Sequence, residues 1–224
     1  MSREAIKAVP LLGPTLSWGR RELTRRRFPG SAGYWQEHYS AGGSSGEGSY
    51  GDLARYKAEV LNAFVAERQV QSVLEFGCGD GHQLSLATYP RYLGFDVAAK
   101  AVELCTERFR GDRTRSFLWF DPARFVNHGA ITAELAMSLD VVYHLVEDAV
   151  FERHLSQLFD ASSRYVCIYS SDIDQQTADP HVRHRAFTRW IEANRPGWRL
   201  VHQVANPIEE RVTAACFRFY EKPA

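Results

Sequence analysis

A chain of 224 residues is long enough for one domain with a sizeable core, burying roughly 70% of its unfolded surface. Hydrophobic residues at 45% and charged residues at 24% are ordinary globular composition, and 27 basic against 27 acidic side chains leave no formal net charge. That balance lacks the basic excess of a nucleic-acid binder, and no apolar run approaches the ~20 residues of a membrane-spanning helix.

The first 30 residues are interrupted by Pro10, Gly13 and Pro14 and lack the continuous apolar centre of a signal peptide. Arg20, Arg21, Arg25, Arg26 and Arg27 fall along one side of a short helix. They fit either a solvated basic face or a weak contact with an acidic membrane surface. The stretch "AGGSSGEGSYG", Ala41 to Gly51, reads as a flexible loop. Residues 1–51 are therefore expected to form an N-terminal arm and a mobile cover, with "YWQEHY" supplying aromatic anchors, and residues 52–224 the main domain.

From Asp52 the pattern becomes regular. Asp52 caps a helix whose inward positions are Leu53, Tyr56, Val60, Leu61 and Phe64. "SVLEF" is a buried strand, and a helix begins at Gly81 and runs to about Thr88. "RYLGF" is a second strand, followed by a helix that turns Ala98, Ala101, Val102, Cys105 and Phe109 inward. "RSFLWF" and "TAELAMSLDVVY" are the third and fourth strands, and residues 147–159 form an amphipathic helix with Val150, Phe151, His154, Leu155, Leu158 and Phe159 inward. "RYVCIYSS" is the fifth strand and "HVRHRAFTRWIEAN" a helix stopped by Pro196 and Gly197. "WRLVHQVAN" and "VTAACFRFYEK" are too close for a crossover helix and should pair as an antiparallel hairpin. Alternating strands and helices give an α/β fold, a doubly wound, mostly parallel seven-stranded sheet.

Chemistry concentrates in "VLEFGCGDGHQL", Val73 to Leu84. In an open α/β sheet the loop after the first strand lies at the crevice where ligands sit. A dinucleotide site wants G-x-G-x-x-G, whereas Gly77, Gly79 and Gly81 are spaced G-x-G-x-G, and Glu75 stands two residues before them. A carboxylate there suits a cation better than a pyrophosphate. About 20 residues on, Asp96 ends the second strand, the place where a carboxylate grips a ribose diol; it also fits a helix cap.

"LEFGCGDG" resembles the first motif of class I S-adenosylmethionine-dependent methyltransferases, and the order and spacing of later motifs extend the resemblance over about residues 52–220. It implies a Rossmann-like fold with S-adenosylmethionine as cofactor, held by Glu75, Gly77, Cys78, Gly79 and Gly81. It places the ribose at Asp96 and Val97 and the adenine at Phe120 and Asp121, although Asp121 also fits a turn cap before Pro122. "MSLD" matches the motif lining the methyl-transfer centre, which brings in Ser138, Leu139 and Asp140.

Just beyond lie Tyr143 and His144. His144 is the candidate base, because an ordinary histidine titrates near neutrality, with Asp140 to orient it or to touch the acceptor; a packed or donor-contacting histidine without a proton role is the rival reading. One Asp and one His fall short of the oxygen set a divalent ion needs, and His181 and His184 have no third ligand, so no metal is expected. Those two histidines share a helix face in this reading and form either a solvated helix start or, with Tyr143, a polar patch that faces the acceptor. The absence of a Pro-Pro-aromatic motif at the fourth strand weighs against a nucleobase acceptor.

"GSYG", "SLDVVYHLVED" and "HVRHRAF" more loosely resemble bacterial methyltransferases of saccharide pathways, which implies a sugar-like small-molecule acceptor, methylated on a hydroxyl or an amine. A protein acceptor, an NAD(P)-dependent oxidoreductase and a non-catalytic adenosyl-binding module are the alternatives. Four scattered cysteines, Cys78, Cys105, Cys167 and Cys216, fit reduced thiols in a cytoplasm. Oligomeric state has no signature here.

Overall fold

The computed structural model describes residues 28–206 and 215–223. The arginine cluster at 20–27 and the link at 207–211 lie outside the described residues. Helix α1 (Gly30–Ser40) and a 3-10 turn (Glu47–Ser49) precede α2 (Gly51–Glu67). Then come β1 (Val73–Phe76), β2 (Tyr92–Asp96), α3 (Ala99–Arg108), β3 (Arg115–Trp119) and β4 (Ala133–Leu139). They are followed by α4 (Asp148–Asp160), β5 (Ser162–Ser170) and a two-residue ladder of β6 (Gln175–Gln176) with β7 (Arg183–His184). Helix α5 (Phe187–Asn194), β8 (Arg199–Ala205) and β9 (Cys216–Glu221) complete the chain.

Seven strands form one sheet in the order β3-β2-β1-β4-β5-β9-β8. The first five are mutually parallel, and β9 runs antiparallel to both β5 and β8. The expected doubly wound sheet with its antiparallel end is present. Both faces are covered, so the strands alternate between two apolar layers rather than between core and solvent. β5 sends Tyr165, Cys167 and Tyr169 to one layer and Val166 and Ile168 to the other. Helix α2 seals the first layer with Leu61, Phe64 and Val65, and α4 and α5 seal the second with Leu155, Leu158, Phe187 and Ile191. Each such side chain contributes about 1.5–3 kcal/mol by its burial. Strand order reverses between β1 and β4, which opens a crevice at their carboxyl ends.

Three elements depart from the sequence reading. The segment from Gly81 is not a helix but a single 3-10 turn, Gln83–Leu86, after which Ala87 is extended. Pro90 holds Tyr89 out of helical conformation. The fourth strand stops at Leu139, because Asp140 turns into the left-handed region at φ +58° and Val142–His144 form a 3-10 turn. The helix expected from His181 begins only at Phe187. Arg185 fixes the preceding chain in an extended path: its guanidinium donates to the carbonyls of Leu145 and Val146 and to Asp148. His181 and His184 therefore share no helix face. Asp52 lies in the first turn of α2, but the helix has no side-chain cap.

Candidate functional site

The turn after β1 needs glycine for two separate reasons. Gly77 and Gly79 adopt φ of +91° and +58°, conformations that L side chains rarely take. A Cβ would also run into Val141 at Gly77 and into Ser45 and Tyr39 at Gly79. Gly81, also left-handed, abuts Cys105 and Phe109.

Every amide of this loop already has a protein acceptor. Gly77 and Cys78 donate to the Phe95 carbonyl at 2.7 and 3.0 Å, and Gly79 to Asp96 Oδ2 at 2.9 Å. Asp80 donates to Ser45 Oγ at 2.9 Å, Gly81 to the Cys78 carbonyl at 3.3 Å, and His82 to Asp80 Oδ1 at 2.9 Å. With no helix behind it and no free N–H in front, the loop is not a phosphate cradle.

Its electrostatics favour the opposite charge. Glu75 is buried, and its Oε2 accepts from Tyr92. Burial pushes its carboxyl up to about 7, although the Tyr92 bond and the Lys57 charge pull it down. Asp96 accepts from the amides of Gly79 and Ala98, yet burial pushes it up to about 6.

Both folded values lie above the ordinary 4.5 and 3.8, so the stability these groups contribute is full below those values and is lost as pH rises through about 6 to 7. Glu75→Gln should leave stability unchanged below pH 4.5 and raise it above pH 7, by on the order of 3 kcal/mol. Urea unfolding at pH 4 and pH 8 measures this; a gain at both values would mean that ionisation is not the cause.

These groups border a cavity of about 380 Å³ at the strand tips. One end carries Glu75, Asp96, Val97 and Phe120, together with Gly77, Cys78 and Gly79 of the loop. The other end carries Leu139, Asp140, Tyr143, His144 and His181. The remaining candidates, Gly81, Asp121, Ser138 and His184, stand outside its wall. Ser138 is buried, with Oγ 2.9 Å from His154 Nε2. Asp121 accepts from the Ala123 amide at 2.8 Å, capping the turn. His184 Nδ1 lies 2.6 Å from Ser171 Oγ.

His144 sits among rings, edge-on to Trp35 at 4.9 Å and parallel to His181 at 5.5 Å. Its Nδ1–H donates to the His181 carbonyl at 3.0 Å, which leaves Nε2 as the lone-pair nitrogen. Burial pushes its pKa down to about 4, so the ring is neutral at physiological pH, and the near-neutral titration expected from its type does not hold.

Among the other wall residues, one escapes sequence reasoning and three belong to the aromatic anchors of "YWQEHY". Lys57, on α2, is buried and pairs with Asp140 at 2.6 Å. Tyr34, Trp35 and Tyr39 come from α1, which roofs the cavity. Two polar ties hold this roof: Ser31 donates to Glu147 from N and Oγ, and Ser45 and Tyr50 bond Asp80. "YWQEHY" was the only signal for these rings. Among the described residues no three His, Cys, Asp or Glu side chains converge as a metal site, and no helix is long and apolar enough to cross a membrane.

Solved structures share this architecture. The N-methyltransferase NodS from Bradyrhizobium japonicum WM9, in complex with S-adenosyl-l-homocysteine, superposes with a TM-score of 0.66 at 15% identity, covering 87% of this chain and 99% of that one. Magnesium protoporphyrin IX methyltransferase (ChlM) from Synechocystis PCC 6803, with the same ligand bound, gives 0.60 at 16% identity, covering 90% and 99%. The methyltransferase domain of bacterial-CtHen1-C gives 0.61 at 17%, covering 77% and 100%.

This chain has the Rossmann-like methyltransferase fold. No protein-family model matches it, and no curated protein does. In the methyltransferase fold seen here, the glycine loop, Asp96, Phe120, the rings of α1 and the turn after β4 all line this one cavity.

Proposed function

We propose that the chain is an S-adenosylmethionine-dependent methyltransferase acting on a hydroxyl or amine of a small, sugar-like acceptor. The observation that carries this reading is the pairing of a loop without free amides with two buried carboxylates, Glu75 and Asp96. An NAD(P) pyrophosphate would find negative charge and no donors there. An adenosyl sulfonium finds carboxylates on its cationic side, a ribose partner in Asp96, and apolar surface from Val97 and Phe120. When bound, it supplies an electrophilic methyl group.

The chain's own residues position the acceptor. Aromatic faces of Tyr34, Trp35 and Tyr143 give a sugar ring flat apolar surfaces, and His144 Nε2 accepts a hydrogen bond from the nucleophile. A histidine held near pKa 4 orients a proton better than it keeps one, so His144 contributes alignment more than basicity. Asp140, held by Lys57 and Tyr143, is the fixed negative group beside it. The α1 roof favours a small molecule over a folded protein or nucleic acid, and the four free cysteines fit a reducing compartment.

A thermal-shift panel tests the reading. S-adenosylhomocysteine at about 100 times its Kd should stabilise the protein by about 2.7 kcal/mol, and NADH should leave Tm unchanged. Stabilisation by NADH alone overturns the proposal. Incubation with labelled donor and separated sugar, protein and nucleic-acid fractions then tests the acceptor class, with label in the sugar fraction expected.

A further inference from the structure

Beyond Phe120 the cavity is closed by one face of α4, where Val150, Arg153, His154 and Gln157 recur at the spacing of a single helical stripe. Two of these residues combine burial with an unused polar atom. His154 and Gln157 are each 8% exposed. Ser138 Oγ lies 2.9 Å from His154 Nε2, and Gln157 Nε2 donates to the Phe125 carbonyl at 2.6 Å. No hydrogen bond from a described residue reaches His154 Nδ1 or Gln157 Oε1, and both side chains stand on the cavity wall. The Phe125 carbonyl accepts only from an N–H, so its bond fixes the amide with Oε1 as the free atom. The His154 ring lies 5.8 Å from Phe76, which packs against Phe120 at 5.6 Å. These groups thus border the same part of the cavity as the Phe120 ring.

We infer that His154 and Gln157 read the hydrogen-bonding edge of the donor's adenine, a role that Asp121 does not fill. The inference rests on the donor reading above. Adenine presents an amino donor beside a ring-nitrogen acceptor. Gln157 Oε1 accepts from the amino group. His154 donates from Nδ1–H to the neighbouring ring nitrogen while the Ser138 hydroxyl donates to Nε2. Asp121 turns away, accepting from the Ala123 amide outside the wall. Hypoxanthine puts a carbonyl where adenine has its amino group and so sets two acceptors against each other at Gln157. A site that fixes the hydrogen-bond pattern of its ligand rejects the reversed pattern strongly.

Calorimetry with S-adenosylhomocysteine and S-inosylhomocysteine tests this on the full chain. The wild type should prefer the adenosyl compound by about ten-fold or more, the worth of one or two hydrogen bonds. Gln157→Met, which keeps length and packing, should bring the two affinities within about three-fold of each other, a loss of the bonds just counted. His154→Phe, which keeps the ring beside Phe76, should also narrow the gap. Asp121→Ala should leave it intact. An equal loss of both ligands in Gln157→Met and His154→Phe would show packing roles and overturn the inference. So would a wild type without preference, or collapse of the preference in Asp121→Ala. A wild type that binds neither compound removes the donor reading itself, an outcome distinct from these.

Discussion

Replacing Lys57 by Met should lower stability by about 3–5 kcal/mol, a fall in Tm of roughly 6–20 °C for a chain of this length. The Lys57 ammonium is 2.6 Å from Asp140 Oδ2, with side chains 1% and 15% exposed. It also lies 5.4 Å from the centre of the Tyr169 ring. Asp140 Oδ1 accepts from Tyr143 at 2.9 Å, so the carboxylate has one neutral donor left once the cation is gone. Removing one partner of a buried pair leaves an uncompensated charge, which is why the single change is far worse than removing both. Lys57→Met combined with Asp140→Asn should recover at least half of the loss, because Asn tolerates the left-handed backbone at this position. Urea unfolding of the two single variants and the double variant measures the cycle. A loss below about 1 kcal/mol in Lys57→Met would place the pair among solvated ones.

The second large effect is on ligand affinity. Asp96→Ala should weaken S-adenosylhomocysteine by about 1.5–3 kcal/mol, the range for hydrogen bonds to a charged group. Asp96 acts twice: its oxygens accept from Gly79 and Ala98, which fixes the glycine loop against β2, and each keeps a lone pair for a hydroxyl. Asp96→Asn separates these roles, since its single carbonyl oxygen cannot hold both amides. It should lose affinity and part of the loop's anchoring together. Calorimetry beside a thermal melt reads both; unchanged affinity in a folded Asp96→Ala would remove the ribose from this residue.

The sheet was legible because its strands are short apolar runs bounded by Gly, Pro and Asp, a local pattern. That Glu75 and Asp96 border the cavity was legible for a related reason: they sit at or near strand ends, where position sets direction. What could not be read depends on distant partners. A helix from His181 to Asn194 matched the local text, but Arg185 binds carbonyls 39 and 40 residues earlier and extends the chain. Lys57 carries no local signal, since nothing near it shows that an Asp 83 residues later takes its charge. The inward position of His154 followed from helical spacing, but its free Nδ1 depends on Ser138 in β4, which the sequence does not connect to it.

The glycine loop, with all of its amides engaged by its own chain, carries a consequence for entropy. Its conformation is set when the protein folds, so ligand capture need not freeze wandering backbone. Recognition at that end is preorganised, and the unfavourable entropy of association falls on the rotatable bonds of the guest.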